Sequence, residues 1–427
     1  MAVKLSNIFS KVQWALVAFV FIATVLVGYI TFFTSNNSYK KTSVIYFNGK
    51  KDYTKIFQDV VSNSNHVIIK SGTYYLAKPI YLNDNITIEG EGTVKLMKVS
   101  NYSHVFVNTK TKLDFAEKFN INIIIANILI DANNEGSQID AAHKTANGII
   151  SFKFLNNLIL NNVKIINGDS QLYGVHLQSV KNAIVKSYFY DGAKDGFHIN
   201  GGCENIMIDG FEISSFDDAF GIMTDDYPRV QHNTKDIKNI IIKNGVSKKR
   251  KEQTGFFIRF MTSSWLEWQN KNKYNIGNIV NVNNLQYKKV NPGEMVSTLR
   301  PNHELGDSLY LDGIFWRFLG KGNNKSSNIF NISVSNVNLE DNRIILRTVN
   351  KDSFNYGEYP GTENTSIVDG LFIDNIKFLS VRGKMGNYKI SKSSKNYIFL
   401  LFGILTALLS FIILVFIRFV QLQKKVK

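Results

Sequence analysis

Through the middle of the chain, short runs of alternating apolar and polar residues recur, and many of them open on asparagine. Asn157-Leu158-Ile159-Leu160, Asn182-Ala183-Ile184-Val185, Asn205-Ile206-Met207-Ile208 and Asn239-Ile240-Ile241-Ile242 are four of these. Alternation with period two and β-branched content predict strands with one buried face. Similar runs occur earlier, at Val67-Ile68-Ile69, Ile86-Thr87-Ile88 and Asn122 to Ile130, and later, at Asn278-Ile279-Val280, Asn328 to Ile332 and Gly370 to Ile373. Between the runs a second phrase repeats. Asp195-Gly196-Phe197-His198-Ile199 is followed 23 residues on by Asp218-Ala219-Phe220-Gly221-Ile222, and Tyr173-Gly174-Val175-His176-Leu177 lies 22 residues before the first. Asn147 to Ser151 fits one repeat earlier, and Thr254 to Ile258, 36 residues after the second phrase, fits one repeat carrying a long loop. A repeat of this length built from short strands is one turn of a solenoid. The pattern predicts an all-β chain wound into a parallel β-helix of about nine to eleven coils.

The two ends are apolar without that alternation. Trp14 to Phe33 is twenty residues without a charge and Tyr397 to Ile417 is twenty-one, each long enough to cross a hydrocarbon core of about 30 Å. The first run exceeds the 7 to 15 or so apolar residues of a signal peptide, and no small-x-small site follows it. The expected organisation is a tail (1–13), a transmembrane helix (14–33), a linker (34–43), the β-helix (44–382), a linker (383–396), a second transmembrane helix (397–417) and a basic tail (418–427). Two spans place both termini on one side of a lipid bilayer. Lysines and arginines flank both faces of each span, so charge bias does not set the direction.

Composition narrows the partners. A formal net charge of +16 attracts anionic polymers or lipid headgroups, but no nucleic-acid reader module is present, so nucleic acid is not an expected partner. The lone Cys203 excludes an intramolecular disulfide. There is no phosphate-binding glycine loop, zinc-protease helix or serine nucleophile elbow. His176, His198 and an aspartate are plausible metal-ligand types without a diagnostic spacing, and no metal or cofactor is expected. Oligomeric state is not set by the sequence.

Stacking supplies the chemistry. Coils sit about 4.8 Å apart, so residues one repeat apart lie over one another and Asp195 neighbours Asp218. Asp217 makes a third carboxyl. Crowded carboxylates repel, which separates a proton donor from a proton acceptor, as glycoside hydrolysis requires. His176 and His198 fall on one outward face of consecutive coils, and the next position in that column, Gly221, opens a gap beside them. Trp265, Trp268, Tyr274 and Trp316 are either flat surfaces for sugar rings or caps on a hydrophobic core.

The opening Gly72-Thr73-Tyr74-Tyr75-Leu76, followed by Ile86-Thr87-Ile88-Glu89-Gly90-Glu91-Gly92, resembles the first coils of the pectin lyase-like superfamily of right-handed, single-stranded parallel β-helices. The central segment is similar, more narrowly, to the polygalacturonases of glycoside hydrolase family 28. Where that family carries Asn-Thr-Asp-Gly and then Gly-Asp-Asp, this chain reads Ala193-Lys194-Asp195-Gly196 and Phe216-Asp217-Asp218. The resemblance implies an inverting hydrolysis with Asp217 as general acid and with Asp195 and Asp218 holding the water. It also implies an extracellular β-helix with cytoplasmic termini. The family's Gly-His-Gly is replaced by Gly255-Phe256-Phe257, and its Arg-Ile-Lys has only the approximate counterpart Arg343 to Thr348, with Arg347 in place of the lysine.

The sequence therefore points to a membrane-anchored protein that acts on polysaccharide, an anionic one by charge, with Asp195, Asp217, Asp218 and His198 as catalytic candidates. His176, Lys194, Arg259, Trp265, Trp268 and Arg347 are candidates for substrate binding. A lyase or epimerase on the same scaffold would need a base and a cation, for which His198, Lys194 and Arg259 are available. A non-catalytic polysaccharide-binding or export module would need only the groove.

Overall fold

The computed structural model describes residues 41–99, 104–111, 116, 118–133, 148–224, 235–248, 255–264, 266–276, 278–304, 308–322, 326–340, 346–349, 367–376, 381–382 and 388–391. Both predicted membrane segments, 14–33 and 397–417, lie outside these residues. Among the described residues no helix is long and apolar enough to cross a membrane.

Each coil folds where an asparagine takes a left-handed backbone. Asn157, Asn182, Asn205, Asn239 and Asn331 have φ between 56° and 67°, a region closed to most side chains but open to asparagine and glycine. Their carboxamides bond from coil to coil. Asn157 Nδ2 donates to Asn122 Oδ1 (2.9 Å), Asn205 to Asn182 (3.0 Å), Asn239 to Asn205 (2.9 Å) and Asn331 to Asn239 (3.1 Å). A second corner column runs through Asn127, Asn162, Ser187, Gly210, Asn244, Asn336 and Asn375, all at positive φ. The asparagines that open the sequence runs are thus corners, and the strands follow from them.

Parallel pairing joins the strands into two ladders. One contains Thr42–Ile45, His66–Leu76, Ile86–Lys98, Asn120–Asp131, Gly148–Gly168, Tyr173–Gly192, Glu204–Ser215, Ile237–Lys248, Ile329–Leu339, Val368–Ile376 and Tyr388–Ser391 in that order. The other passes from Ile80–Leu82 and Phe106–Asn108 through the first residues of Gly148–Gly168 and Tyr173–Gly192. It continues through Phe197–Asn200, Phe220–Met223, Ile258–Met261, Leu346–Val349 and Val381–Arg382. This is the parallel β-helix expected from the repeat, and its longer ladder has eleven rungs among the described residues. Inward positions are apolar throughout, as in Val175, Leu177, Phe197, Ile199, Phe220, Ile222, Ile258 and Phe260. The helix Thr54–Asn63 closes the first coils by setting Phe57 against Tyr74, ring centroids 5.6 Å apart, with Val61 buried beside it.

Three expectations need correction. Asn278-Ile279-Val280 is not a rung of the solenoid, because Ile279–Val282 pairs antiparallel with Leu285–Lys289 in a separate five-stranded sheet inserted after Met261. The insertion has its own core of Tyr274, Val280, Val282, Tyr287, Ile314, Trp316 and Phe318. The phrase Thr254 to Ile258 is displaced by two residues, since Phe220 pairs with Ile258 rather than Phe256, and Gly221 with Arg259. A two-residue slip keeps the same residues facing inward, so alternation alone does not exclude it. One coil before Tyr173, Ser151 rather than Ile150 lies opposite His176, a shift of one residue.

The corner accounts for a measurable share of stability. Asn205→Ala loses two interstrand hydrogen bonds of about 0.5–1.5 kcal/mol each and places a Cβ residue in the left-handed region at a further 1–2 kcal/mol or so. We expect a loss of about 2–5 kcal/mol in urea unfolding, and about 1–2 kcal/mol less for Asn205→Gly, which tolerates the backbone. Equal losses would show that the hydrogen bonds alone hold the corner.

Candidate active site

The shorter ladder carries the chemistry. Asp195 and Asp218 precede the paired strands Phe197–Asn200 and Phe220–Met223 at equivalent places. Gly196 N donates to Asp218 O (3.0 Å), and Asp218 N donates to Asp195 Oδ1 (3.3 Å). With Asp217 they bring one carboxylate oxygen each to within 4.8 Å of one another. Asp195 and Asp218 are buried, whereas the Asp217 side chain keeps 22% of its surface exposed.

Two cations reach this cluster. Lys194 Nζ donates to Asp217 Oδ2 at 2.7 Å, and an Arg259 terminal nitrogen stands 3.7 Å from Asp217 Oδ1. Arg259 Nε lies 2.9 Å from Asp218 Oδ2 as an ion contact without the alignment of a directed hydrogen bond. Phe256 N donates to Asp218 Oδ1 at 2.7 Å. Arg259 arrives through the corrected register, which puts it in the column His176, His198, Gly221, Arg259.

The carboxyls separate electrostatically. Burial pushes Asp217 up, but the charge and hydrogen bond of Lys194, followed by the charge of Arg259, outweigh it and hold the group below the ordinary carboxylate range. Asp218 goes the other way. Burial, then the charge of Asp195, push it well above that range, and Arg259 opposes them without prevailing. The cluster thus presents one carboxyl held ionised beside one inclined to keep its proton. Its oxygens are close enough together to ligate a divalent ion, but two of the three carboxyls already face Lys194 and Arg259, a donor set arranged for proton transfer rather than for a metal.

The histidines are placed more particularly than the phrase predicted. His176 and His198 are register partners with ring centroids 6.0 Å apart and planes tilted by 47°. The flat contact of His198 is with Tyr173, 3.8 Å between centroids at 7°. His198 Nδ1 pairs with Asp195 Oδ2 at 2.6 Å. Gly221 makes this pair possible, since a Cβ there would sit 2.5 Å from His198 Nδ1 and 2.8 Å from Asp195 Oδ2. His176 contacts Ser151 Oγ (3.0 Å) through Nδ1 and Asn200 Oδ1 through Nε2. Burial, then the neighbouring His198, lower its pKa well below 6.5, so it stays neutral at pH 7.

Tyr173, Lys194, Asp195, His198, Asp217, Asp218, Met223 and Arg259 line a small cleft of about 10 Å³, room for about one water. Of the expected site residues, the structure brings together Asp195, Asp217, Asp218, His198, Lys194 and Arg259, with His176 one coil away. Arg347 is the register partner of Arg259 on the following coil. Trp265 lies outside the described residues. Trp268 packs against the core of the insertion, donates from Nε1 to Ser297 Oγ (3.0 Å) and has Arg300 5.3 Å above its ring. Tyr274 and Trp316 are buried in that same core, so these three are core aromatics rather than an open stacking surface. Tyr173 stands opposite Asp195 in the phrase alignment, but nothing in the sequence marks its ring as the one stacked on His198.

No known protein family matches the chain, and no curated protein matches it in sequence. Among solved structures it is similar to a family 28 exopolygalacturonase from Yersinia enterocolitica, with 12% identity over 81% of this chain and 67% of that one and a TM-score of 0.45. It is also similar to PfbA, a surface adhesin of Streptococcus pneumoniae, with 13% identity, 82% and 79% coverage and a TM-score of 0.41. A third likeness is to the A-module of a mannuronan C-5 epimerase from Azotobacter vinelandii, with 10% identity, 81% and 97% coverage and a TM-score of 0.36. These likenesses carry no correspondence of residues, and the chemistry rests on the geometry above.

The opposed shifts set a stability signature. A carboxyl whose pKa is raised by folding favours the native state at low pH and disfavours it once pH exceeds the folded pKa, and a depressed pKa does the reverse. Asp218→Asn should therefore raise Tm at pH 7, with the gain shrinking as pH falls into the carboxylate range. Asp217→Asn should lower Tm at pH 7, with the loss vanishing at the acid end. Thermal melts from pH 3 to 8 or so cover both windows. A destabilised Asp218→Asn protein at pH 7 would mean that Asp218 is ionised and held by Arg259.

Proposed function

We propose that this protein is a membrane-anchored enzyme that cleaves an anionic polysaccharide by hydrolysis, in the manner of the polygalacturonases. The observation that carries the reading is the asymmetry of adjacent carboxyls in one small cleft, Asp217 paired with Lys194 at 2.7 Å and Asp218 buried against Asp195, which favours the ionised form of Asp217 and the acid form of Asp218. Inverting hydrolysis of a glycosidic bond uses one carboxyl as general acid and another as general base. The free site favours Asp218 as the proton donor and Asp217 as the base that takes a proton from water, which reverses the roles implied by the resemblance. The register supports an anionic substrate, because Arg347 and Arg382 follow Arg259 in one column on the next two coils, and the chain carries a net charge of +16. The apolar runs 14–33 and 397–417 would hold the β-helix at a cell surface.

A second reading has its own observation. Asp195 fixes the His198 imidazole through Nδ1 at 2.6 Å, an arrangement that orients a general base. With Lys194 and Arg259 nearby, it suits proton abstraction beside a uronate carboxylate, the chemistry of a lyase or epimerase.

Full-length protein in detergent, incubated with uronate, sulfated and neutral polysaccharides, separates the two. Hydrolysis yields new reducing ends without the ultraviolet absorbance of an unsaturated uronate. Asp217→Asn and Asp218→Asn should each lower the rate about 100- to 10,000-fold. On an oligosaccharide with an aryl leaving group, which needs little protonation, Asp218→Asn should recover and Asp217→Asn should not. Recovery of Asp217→Asn instead would restore the roles implied by the resemblance, and unsaturated products lost in His198→Ala would establish the lyase reading.

A further inference from the structure

Alongside the column that holds the histidines runs a second one, two residues further along each strand. It reads Lys153, Gln178, Asn200 and Met223 on consecutive coils. The alternating positions Phe152, Leu177, Ile199 and Ile222 belong to the core, so this column is on the outward face with the site. Met223 lines the cleft, and Asn200 is tied to it by Asn200 Nδ2 donating to Met223 O at 3.2 Å. Asn200 is satisfied on its other side by His176. Gln178 is not. It is fully buried, and among the described residues neither its Oε1 nor its Nε2 meets a hydrogen-bond partner.

A buried carboxamide without partners costs roughly 1–3 kcal/mol, and natural structures carry few of them. The column shows that the position accepts other solutions, since Met223 fills the equivalent place two coils on. Gln178 is no deeper than His198 or Asp218, which line the cleft and are equally enclosed. It stands one coil and two residues from His198, about 8 Å between Cα atoms. An amide group offers two donors and an acceptor on one edge, and adjacent hydroxyls on a sugar ring offer the complement.

We infer that Gln178 is a specificity-determining residue of a sugar subsite on the N-terminal side of the carboxylate cluster, where its amide pairs with neighbouring ring hydroxyls of the bound glycan. This deepens the polysaccharide reading and rests on it. His176 supports the subsite by holding Asn200, and Arg259 lies on the opposite side of the cluster, one coil beyond Gly221.

Gln178→Leu removes the amide and roughly keeps the volume. A positioned amide lost from a sugar subsite should weaken glycan binding at least tenfold, with KM rising and kcat little changed. The same substitution should raise Tm, because it relieves an unmet buried amide. Binding is measured on full-length protein in detergent, with hexagalacturonate, its carboxyl-reduced neutral counterpart and an immobilised glycan panel as probes. Weaker binding together with a higher Tm supports the subsite. A lower Tm would show that the amide is satisfied within the native fold, and unchanged affinity would show that it reads no ligand; either overturns the inference. Binding of glycan by wild type without cleavage would sink the hydrolase reading and leave the subsite standing. Cleavage with unaltered affinity in Gln178→Leu would do the opposite, and a wild type that binds none of the probes overturns both.

Discussion

The structure depends on one backbone constraint, the left-handed corner that each coil must make. Asparagine adopts it at modest cost and also offers a carboxamide that bonds to the next coil. The chain from Asn122 through Asn157 in one stretch, and from Asn182 through Asn205 and Asn239 to Asn331 in another, fixes how far each coil turns before its strand begins. Once corners are in register, the strands after them are too, and so are residues far from them in sequence. Asp195 meets Asp218, and His176 meets His198, because the corners at Asn182 and Asn205 are aligned.

Crowding three carboxyls on such a scaffold creates an electrostatic problem that Lys194 and, from the next coil, Arg259 relieve at Asp217 and leave unresolved at Asp218. Without a cation, burial and mutual repulsion would protonate the cluster. Lys194 arrives from beside Asp195, but Arg259 arrives from a strand 38 residues beyond Phe220 and its neighbours, after a loop. Its position depends on the two-residue displacement of that strand. Had Phe256 rather than Ile258 paired with Phe220, the residue opposite Gly221 would have been Phe257 and the cluster would have lost a guanidinium.

This explains what the sequence made legible. Asp195, Asp218, His176 and His198 sit in phrases of nearly equal length, where no insertion disturbs the count, and a fixed rise places them correctly. Arg259 was named as a candidate but could not be positioned, because the inserted residues left the register free to slip by two without changing the inward face. Ile279–Val282 carried the same asparagine-led alternation as the true rungs, yet a tight turn at Asn283 and Asn284, both at positive φ, folds it back into a hairpin. Local pattern cannot distinguish a corner that continues a coil from one that reverses it. Trp268, Tyr274 and Trp316 had the composition of a sugar platform and the environment of a small core, which only tertiary contacts decide. Gln178 left no trace, and Tyr173 only its place opposite Asp195 in the phrase, because each is significant only through what lies over it.

The corners of the long ladder and the surroundings of the carboxylate cluster treat their polar groups differently. On the long ladder, side chains at the corners bond to one another and outward lysines meet acids on the adjacent coil, as Lys243 meets Asp209 at 3.1 Å. On the short ladder an aspartate is driven toward its neutral form, a glycine is needed to admit a histidine–carboxylate pair, and an amide is buried without a hydrogen-bond partner among the described residues. Each of these lowers the stability of the free protein, and each faces or adjoins one cleft. A solenoid can accommodate them there because every coil is stabilised by two neighbours through the rest of its circumference.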